Sequence, residues 1–286
     1  MYRGRVDAIT EYAGHSVVTD PGSQRALLGE LPGDVAAVRE IVAGLVIHSD
    51  MGALYGLDLS ARLAEPRLRT VEAMLARLAE LDRSCLVEPR AAGTRLVGNC
   101  RASTVLFCAL LRELGIPVRA RCGFSNYFTS PIRGDHWVAE YWSASHSRWV
   151  LVDAELDDEI IANNRITFDP MDTPRAQFWM AGEAWLACRR GDEDPDSFGL
   201  DPATTGDWYV RGQLLRDLAA LNKVEVAPWD TWWIGAPQHA LTPEETALLD
   251  HLAHICVSCS NTHGAPTQTW HEDSRLWPPP EYQQDP

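Results

Sequence analysis

The stretch Gly98-Asn99-Cys100-Arg101-Ala102-Ser103-Thr104-Val105-Leu106-Phe107-Cys108-Ala109-Leu110-Leu111-Arg112-Glu113-Leu114-Gly115 reads as one helix with both ends marked. Asn99 suits the N-cap, where its side chain can accept a hydrogen bond from an orphan backbone N–H. Gly115 fits the left-handed position after the last turn, and Pro117 forbids continuation. Between Val105 and Leu111 the helix is apolar almost all round, which predicts a buried helix. Cys100 falls at the first helical position. There the free N–H groups and the positive end of the helix dipole favour a thiolate, the attacking form of cysteine. Cys108 sits among apolar neighbours and reads as a core residue.

Downstream the period changes from helical to two. Val118, Ala120, Cys122 and Phe124 alternate with Arg119, Arg121 and Gly123, which predicts a half-buried strand with Cys122 in the core. Next, 137–142 and 148–153 are rich in aromatic and β-branched residues and are joined by the polar run 143–147. They predict a hairpin. With its loop centred between Ala144 and Ser145, Tyr141 faces Arg148, Ala139 faces Val150 and His136 faces Asp153. Opposed residues share a face, so Asp153 can fix the tautomer and orientation of the His136 imidazole. A cysteine at a helix N-terminus packed against that sheet completes a nucleophile, base and orienter. The pairing depends on register, because a slip of one residue would part the two side chains. Taken singly, each residue also has a structural reading: a small buried thiol, a strand histidine beside tryptophan, an aspartate capping a turn.

The same residues carry a family resemblance. Gly-Asn-Cys-Arg opens a buried helix, Asp-His-Trp-Val opens one strand, and Trp-Val-Leu-Val-Asp closes the next, which resembles the transglutaminase-like superfamily over roughly residues 90–160. The resemblance implies an α+β fold with a cysteine-proteinase-type core, the cysteine helix packed on an antiparallel sheet and further helices flanking it. It implies Cys100 as nucleophile, His136 as general base and acid, and Asp153 as orienter, with no cofactor and no metal. It also implies acyl chemistry on an amide, thioester or peptide, free or held on a protein or carrier, through a thioester. Hydrolysis is slightly favoured, since no amine site is visible; an amide-forming acyltransferase and a non-catalytic binding module are the alternatives. Papain-type proteases place the histidine about 130–150 residues after the cysteine. Here it follows after 36, so papain proper is a poor match.

Upstream, residues 1–31 read as a short strand or irregular lead-in, and helices are expected over 34–48 and from about 65 to 81. Residues 84–97 read as a loop. Downstream, helices are expected over 175–189 and 208–221. Thr242-Pro243-Glu244-Glu245 is a capping box that opens a helix to about Cys256. One domain over 1–270 and an extended tail over 271–286 are the expected organisation.

Forty acidic against 25 basic residues give a net charge of −15, which argues against nucleic acid and anionic membrane surfaces as partners. Met1–Gly14 lacks the apolar core of a signal peptide, and no run of about 18 apolar residues occurs. Seven scattered cysteines fit reduced thiols, hence a cytoplasmic location. The segment 251–263 holds His251, His254, Cys256, Cys259 and His263, enough soft ligands for zinc. Yet Cys256 fits the apolar face beside Leu252, and the spacing matches no paired Cys-x-x-Cys knuckle. No phosphate-loop or dinucleotide fingerprint is present.

Overall fold

The computed structural model describes residues 8–259 and 266–285. Helices α1 (Ala8–Glu11) and α2 (Val35–Leu45) lead to a short strand, β1 (Val46–His48). Helix α3 (Val71–Leu81) precedes β2 (Leu96–Gly98), which pairs parallel to β1 just before the central helix, α4 (Cys100–Glu113). Strands β3 (Val118–Ser125), β4 (Arg133–Ser143) and β5 (Arg148–Val152) follow, then α5 (Asp158–Asn164), β6 (Phe178–Met180) and α6 (Ala181–Arg190). Strands β7 (Phe198–Asp201) and β8 (Thr204–Thr205) lead to α7 (Asp207–Leu221), α8 (Pro243–Cys259) and α9 (Thr267–Glu272).

The fold is α+β. Asn99 caps α4 by accepting from the Ala102 N–H at 3.1 Å, and Gly115 takes φ +71° beyond its other end. Every residue of α4 from Cys100 to Arg112 is buried. On one side of the sheet, α2, α3 and α4 share a core with Val118, Ala120 and Cys122 of β3, Trp137 and Ala139 of β4, and Val150 and Val152 of β5. Each fully buried Val or Leu in such a core contributes about 1.5–3 kcal/mol. Strand β4 is the hub: β3 runs antiparallel along one edge, while β5 and β7 take different stretches of the other.

Strand β3 is buried on both faces, not half-buried. Its second face lies under α7 and α8, and the two arginines there are fully buried. Arg121 makes a two-pronged pair with Asp217 of α7 at 2.9 and 2.8 Å and also donates to Glu140 of β4 at 2.9 Å. Arg119 donates to the same Glu140 and to the Cys259 carbonyl. Charges at such depth are tolerated only when paired. The period-two pattern therefore marks the strand correctly and misassigns its outer face to water.

Several boundaries differ from the sequence reading. The lead-in forms α1 and a 3-10 turn over Gly22–Leu28, with no strand among the described residues. The first expected helix stops at Leu45, where β-branched Val46 and Ile47 go into β1 beside β2. The second begins at Val71, because Thr70 caps the Ala73 N–H, leaving Glu65–Arg67 as a 3-10 turn. Phe178–Met180 is a strand on β3, so that helix starts at Ala181. The capping box forms as expected: Thr242 and Glu245 exchange bonds at 3.2 and 2.9 Å. The tail is not extended. It carries 3-10 turns at Ser274–Leu276 and Pro280–Gln283, and Tyr282 donates to the Thr231 carbonyl. No helix among the described residues is long and apolar enough to cross a membrane.

Candidate active site

Three elements converge on Cys100. The β2–α4 junction presents it at the helix start, β4 brings His136, and the end of β5 brings Asp153. Cys100 is only 7% exposed. Its neighbour Arg101 is buried and donates to the carbonyls of Glu225 and Val226, which pins the first turn of α4 to the segment after α7.

The hairpin register differs from the expected one by two residues. Ala139 pairs with Val152, Tyr141 with Val150 and Ser143 with Arg148. The connection is a four-residue loop whose last residue, Ser147, has φ +50°. His136 therefore does not face Asp153 directly. An even slip keeps the face, however, and leaves Asp153 diagonal to His136 just beyond the last rung. The side chains meet there: His136 Nε2 lies 2.8 Å from Asp153 Oδ2.

Asp153 is held by more than the histidine. Tyr127 donates its hydroxyl to Oδ2 at 2.6 Å, and the Glu155 backbone N–H donates to Oδ1 at 3.0 Å. Burial by itself would raise the carboxyl, but the His136 charge and these hydrogen bonds hold it below the usual aspartate range. An ionised carboxylate can only accept, so Nε2 carries the hydrogen and Nδ1 is the ring's free position. Tyr127, Phe128 and Phe178 surround the imidazole edge-on, with centroids at 5.8, 5.1 and 6.3 Å. Sequence reasoning missed Tyr127 and Glu155. Asp153-x-Glu155 carries a readable signal, because an aspartate commonly accepts from the N–H two residues on; Tyr127 lies in a loop and carries none.

Burial would lower the His136 imidazolium, but the Asp153 charge and hydrogen bond, helped by Cys100, outweigh it and hold the group well above its usual value. Cys100 and His136 act on each other: the histidine pulls the thiol down, and the cysteine helps to hold the imidazolium up. The thiol itself does not follow the expectation of a lowered pKa. Burial pushes it up, His136 pulls it down only in part, and Glu155 and Asp135 add to the rise. The helix N-terminus favours a thiolate, yet a site this dry and this rich in carboxylates resists one. Cys108 and Cys122 are core residues as expected, Cys108 pushed up to about 12 by burial.

Glu155 is 6% exposed; its Oε2 stands 3.8 Å from His136 Nδ1, and its Oε1 has no hydrogen-bond partner among the described residues. A separate cavity of about 470 Å³, lined by Glu40, Glu88, Arg95, Asp157 and Glu159, does not include Cys100 or His136. Among the described residues no group of three His, Cys, Asp or Glu side chains could hold a metal ion. Cys256 is buried with Leu252, His251 and His254 are exposed, and His263 lies outside the described residues.

Residues 84–154 match the sequence profile of the Transglutaminase-like superfamily. Among solved structures, the chain is similar to a proposed cysteine protease from Cytophaga hutchinsonii at 18% identity and a TM-score of 0.34, over 55% of this chain and 44% of that one. The chain thus spans less than half the length of that protein, and so loose a likeness bears on neither fold nor chemistry. No curated protein matches.

Proposed function

We propose, from the match of residues 84–154 to the transglutaminase-like superfamily and from the site itself, that the protein is a thiol enzyme that works on an amide, thioester or peptide carbonyl through a Cys100 thioester. The observation that carries this reading is the 2.8 Å contact between His136 and Asp153 beside a cysteine that opens a buried helix. Such a grouping supplies a nucleophile, a proton carrier and a group that orients the carrier.

The sequence of steps balances with these residues alone. With a single proton shared between the pair and held on His136, Cys100 attacks the carbonyl carbon as the thiolate, and the oxygen takes the negative charge. The Cys100 backbone N–H is one donor available to that oxygen. His136, held protonated by Asp153, gives its Nδ1 proton to the departing nitrogen as the C–N bond breaks, leaving the thioester. Water or an amine then attacks the thioester carbon and loses a proton to Nδ1, and the sulfur leaves. Hydrolysis is the favoured outcome, because water needs no dedicated subsite. All seven cysteines are free, which supports a reducing, cytoplasmic setting. The shared core beneath the sheet and the α6–α8 layer above it support one domain over 1–270.

Incubation with a panel of amide and thioester donors, read by intact mass and peptide mapping, tests the proposal. An acyl adduct on Cys100 that clears with time is expected. Turnover that survives in Cys100→Ala would overturn the reading.

A further inference from the structure

Asp153 and Glu155 leave the same turn, and both carboxyls reach the His136 ring, one at each nitrogen. Asp153 is fully engaged, with three donors on its two oxygens. Glu155 is not. It is buried, its Oε2 stands 3.8 Å from Nδ1, and Oε1 has no hydrogen-bond partner among the described residues. A buried acceptor left without a donor costs about 1–3 kcal/mol, more when charged, so a native site that keeps one usually keeps it for a ligand.

Among the described residues its one ion-pair contact is with the His136 imidazolium, at 3.8 Å. The titratable neighbours of Glu155 include His48 at the end of β1, Tyr55 in the turn that follows it, His136 on β4, Cys100 on α4, Tyr127 from the β3–β4 loop, and Asp153 and Asp157 on its own segment. Arg95 is taken by Asp157 at 2.8 Å. Arg39 donates from Nη1 to Glu40 and from Nε to the Asp153 carbonyl, and its buried Nη2 has no partner among the described residues.

We propose that Glu155 is a specificity-determining residue: its carboxylate, matched only by the His136 imidazolium, opposes loss of the proton shared by Cys100 and His136, and a positively charged group on the acyl donor relieves that opposition by pairing with it. This rests on the reading that Cys100 and His136 carry the chemistry. The physical argument is the sign of one charge. A second carboxylate beside Nδ1 makes every deprotonation of the pair harder, whichever of the two atoms loses the proton. A cation seated on Oε1 removes that penalty at the moment the substrate arrives. Donors with a cationic group near the scissile carbonyl would then meet a thiolate, and neutral or anionic donors a thiol. Burial pushes the Glu155 carboxyl up, with Asp153 and Asp157 adding to the rise, and His48 and His136 offset it only in part.

The test compares Cys100 modification by three methanethiosulfonates of similar size: aminoethyl (cationic), methyl (neutral) and sulfonatoethyl (anionic). Rates are measured at pH 7 by peptide mapping and normalised to a free thiol. Wild type should prefer the cation over the neutral reagent about tenfold, the scale of a close charge pair in a partly screened site. In Glu155→Gln that preference should fall to within about twofold, while the neutral reagent reacts faster at pH 7 than in wild type. A charge-blind wild-type Cys100, or a preference that persists in Glu155→Gln, overturns the role of Glu155 and leaves the Cys100 chemistry standing. A Cys100 that reacts with every reagent no faster than half-buried Cys85 overturns the chemistry itself. Should the variant fail to fold, wild type decides: its cation preference should survive 1 M salt, which screens the long-range field of the chain's net charge of −15 but a buried pair far less, and a preference that salt erases overturns the proposal.

Discussion

Asp153 accepts from three donors, so replacing it removes an orienting charge and unsettles three partners at once. Asp153→Asn keeps the shape but can place an N–H where Nε2–H should point, favouring the wrong tautomer. The corresponding change in a serine protease costs about four orders of magnitude, a documented case. Here a loss of at least about a hundredfold in kcat is expected, with the fold intact by circular dichroism. Tyr127→Phe removes one of the three bonds and should cost about tenfold, the worth of a hydrogen bond to a charged group. A rate within twofold of wild type for both variants would make Asp153 a strand cap and nothing more. The raised Cys100 thiol sets a second expectation. Alkylation of Cys100 by iodoacetamide should be slow at pH 6 and climb with pH beyond the ordinary cysteine range. His136→Ala, which removes the one group pulling the thiol down, should move the climb to still higher pH. A pH profile unchanged in the variant would mean that the pair is not coupled.

At the scale of elements, what was legible followed local chemistry. Asn99, Gly115 and Pro117 mark both ends of α4 because caps act within a few residues of the helix they close. Asn99→Ala should cost about 1 kcal/mol, seen as a lower urea midpoint with an unchanged slope. The capping box at Thr242 was readable for the same reason. The hairpin register was not, because Ser147 adopts a left-handed conformation that nothing in its side chain announces. The candidate pair survived that error only because the slip was even. The short strands β1, β2 and β6 to β8 escaped because they have two to four residues each, too few for a period to show. Glu155 escaped because a polar residue in an acidic run looks solvated until tertiary packing buries it.

Across the whole molecule, the least legible feature is the buried ionic layer between the sheet and α7–α8. Arg121 and Asp217 lie 96 residues apart in sequence, and alternation alone sends Arg121 to solvent. Breaking such a pair strands a charge in the interior. Arg121→Met should therefore cost about 3–5 kcal/mol in urea unfolding, and combining it with Asp217→Leu should recover part of that loss. If the double variant is no more stable than the single one, the pairing does not account for the cost. Burial would raise the Glu140 carboxyl, but Arg119, Arg121 and Arg175 hold it far below the usual glutamate range. A depressed carboxylate lends stability above its unfolded pKa and withdraws it as pH falls toward the folded one. Acid unfolding should thus deepen below about pH 4.5, and Glu140→Gln should flatten that pH dependence.

The grip of Arg101 on the Glu225 and Val226 carbonyls has a consequence for biosynthesis. Those carbonyls lie 124 and 125 residues beyond the arginine. At roughly 5–20 residues per second, a ribosome delivers them about 6–25 seconds after the cysteine beside it. Until then Arg101 has only the Arg69 carbonyl, at 2.9 Å, to hold the start of α4, and Arg112 and Arg121 have no acidic partners from the later half of the chain. The nascent protein therefore carries an incompletely seated nucleophile until the segment after α7 has been made, and that segment is what finishes setting it in place.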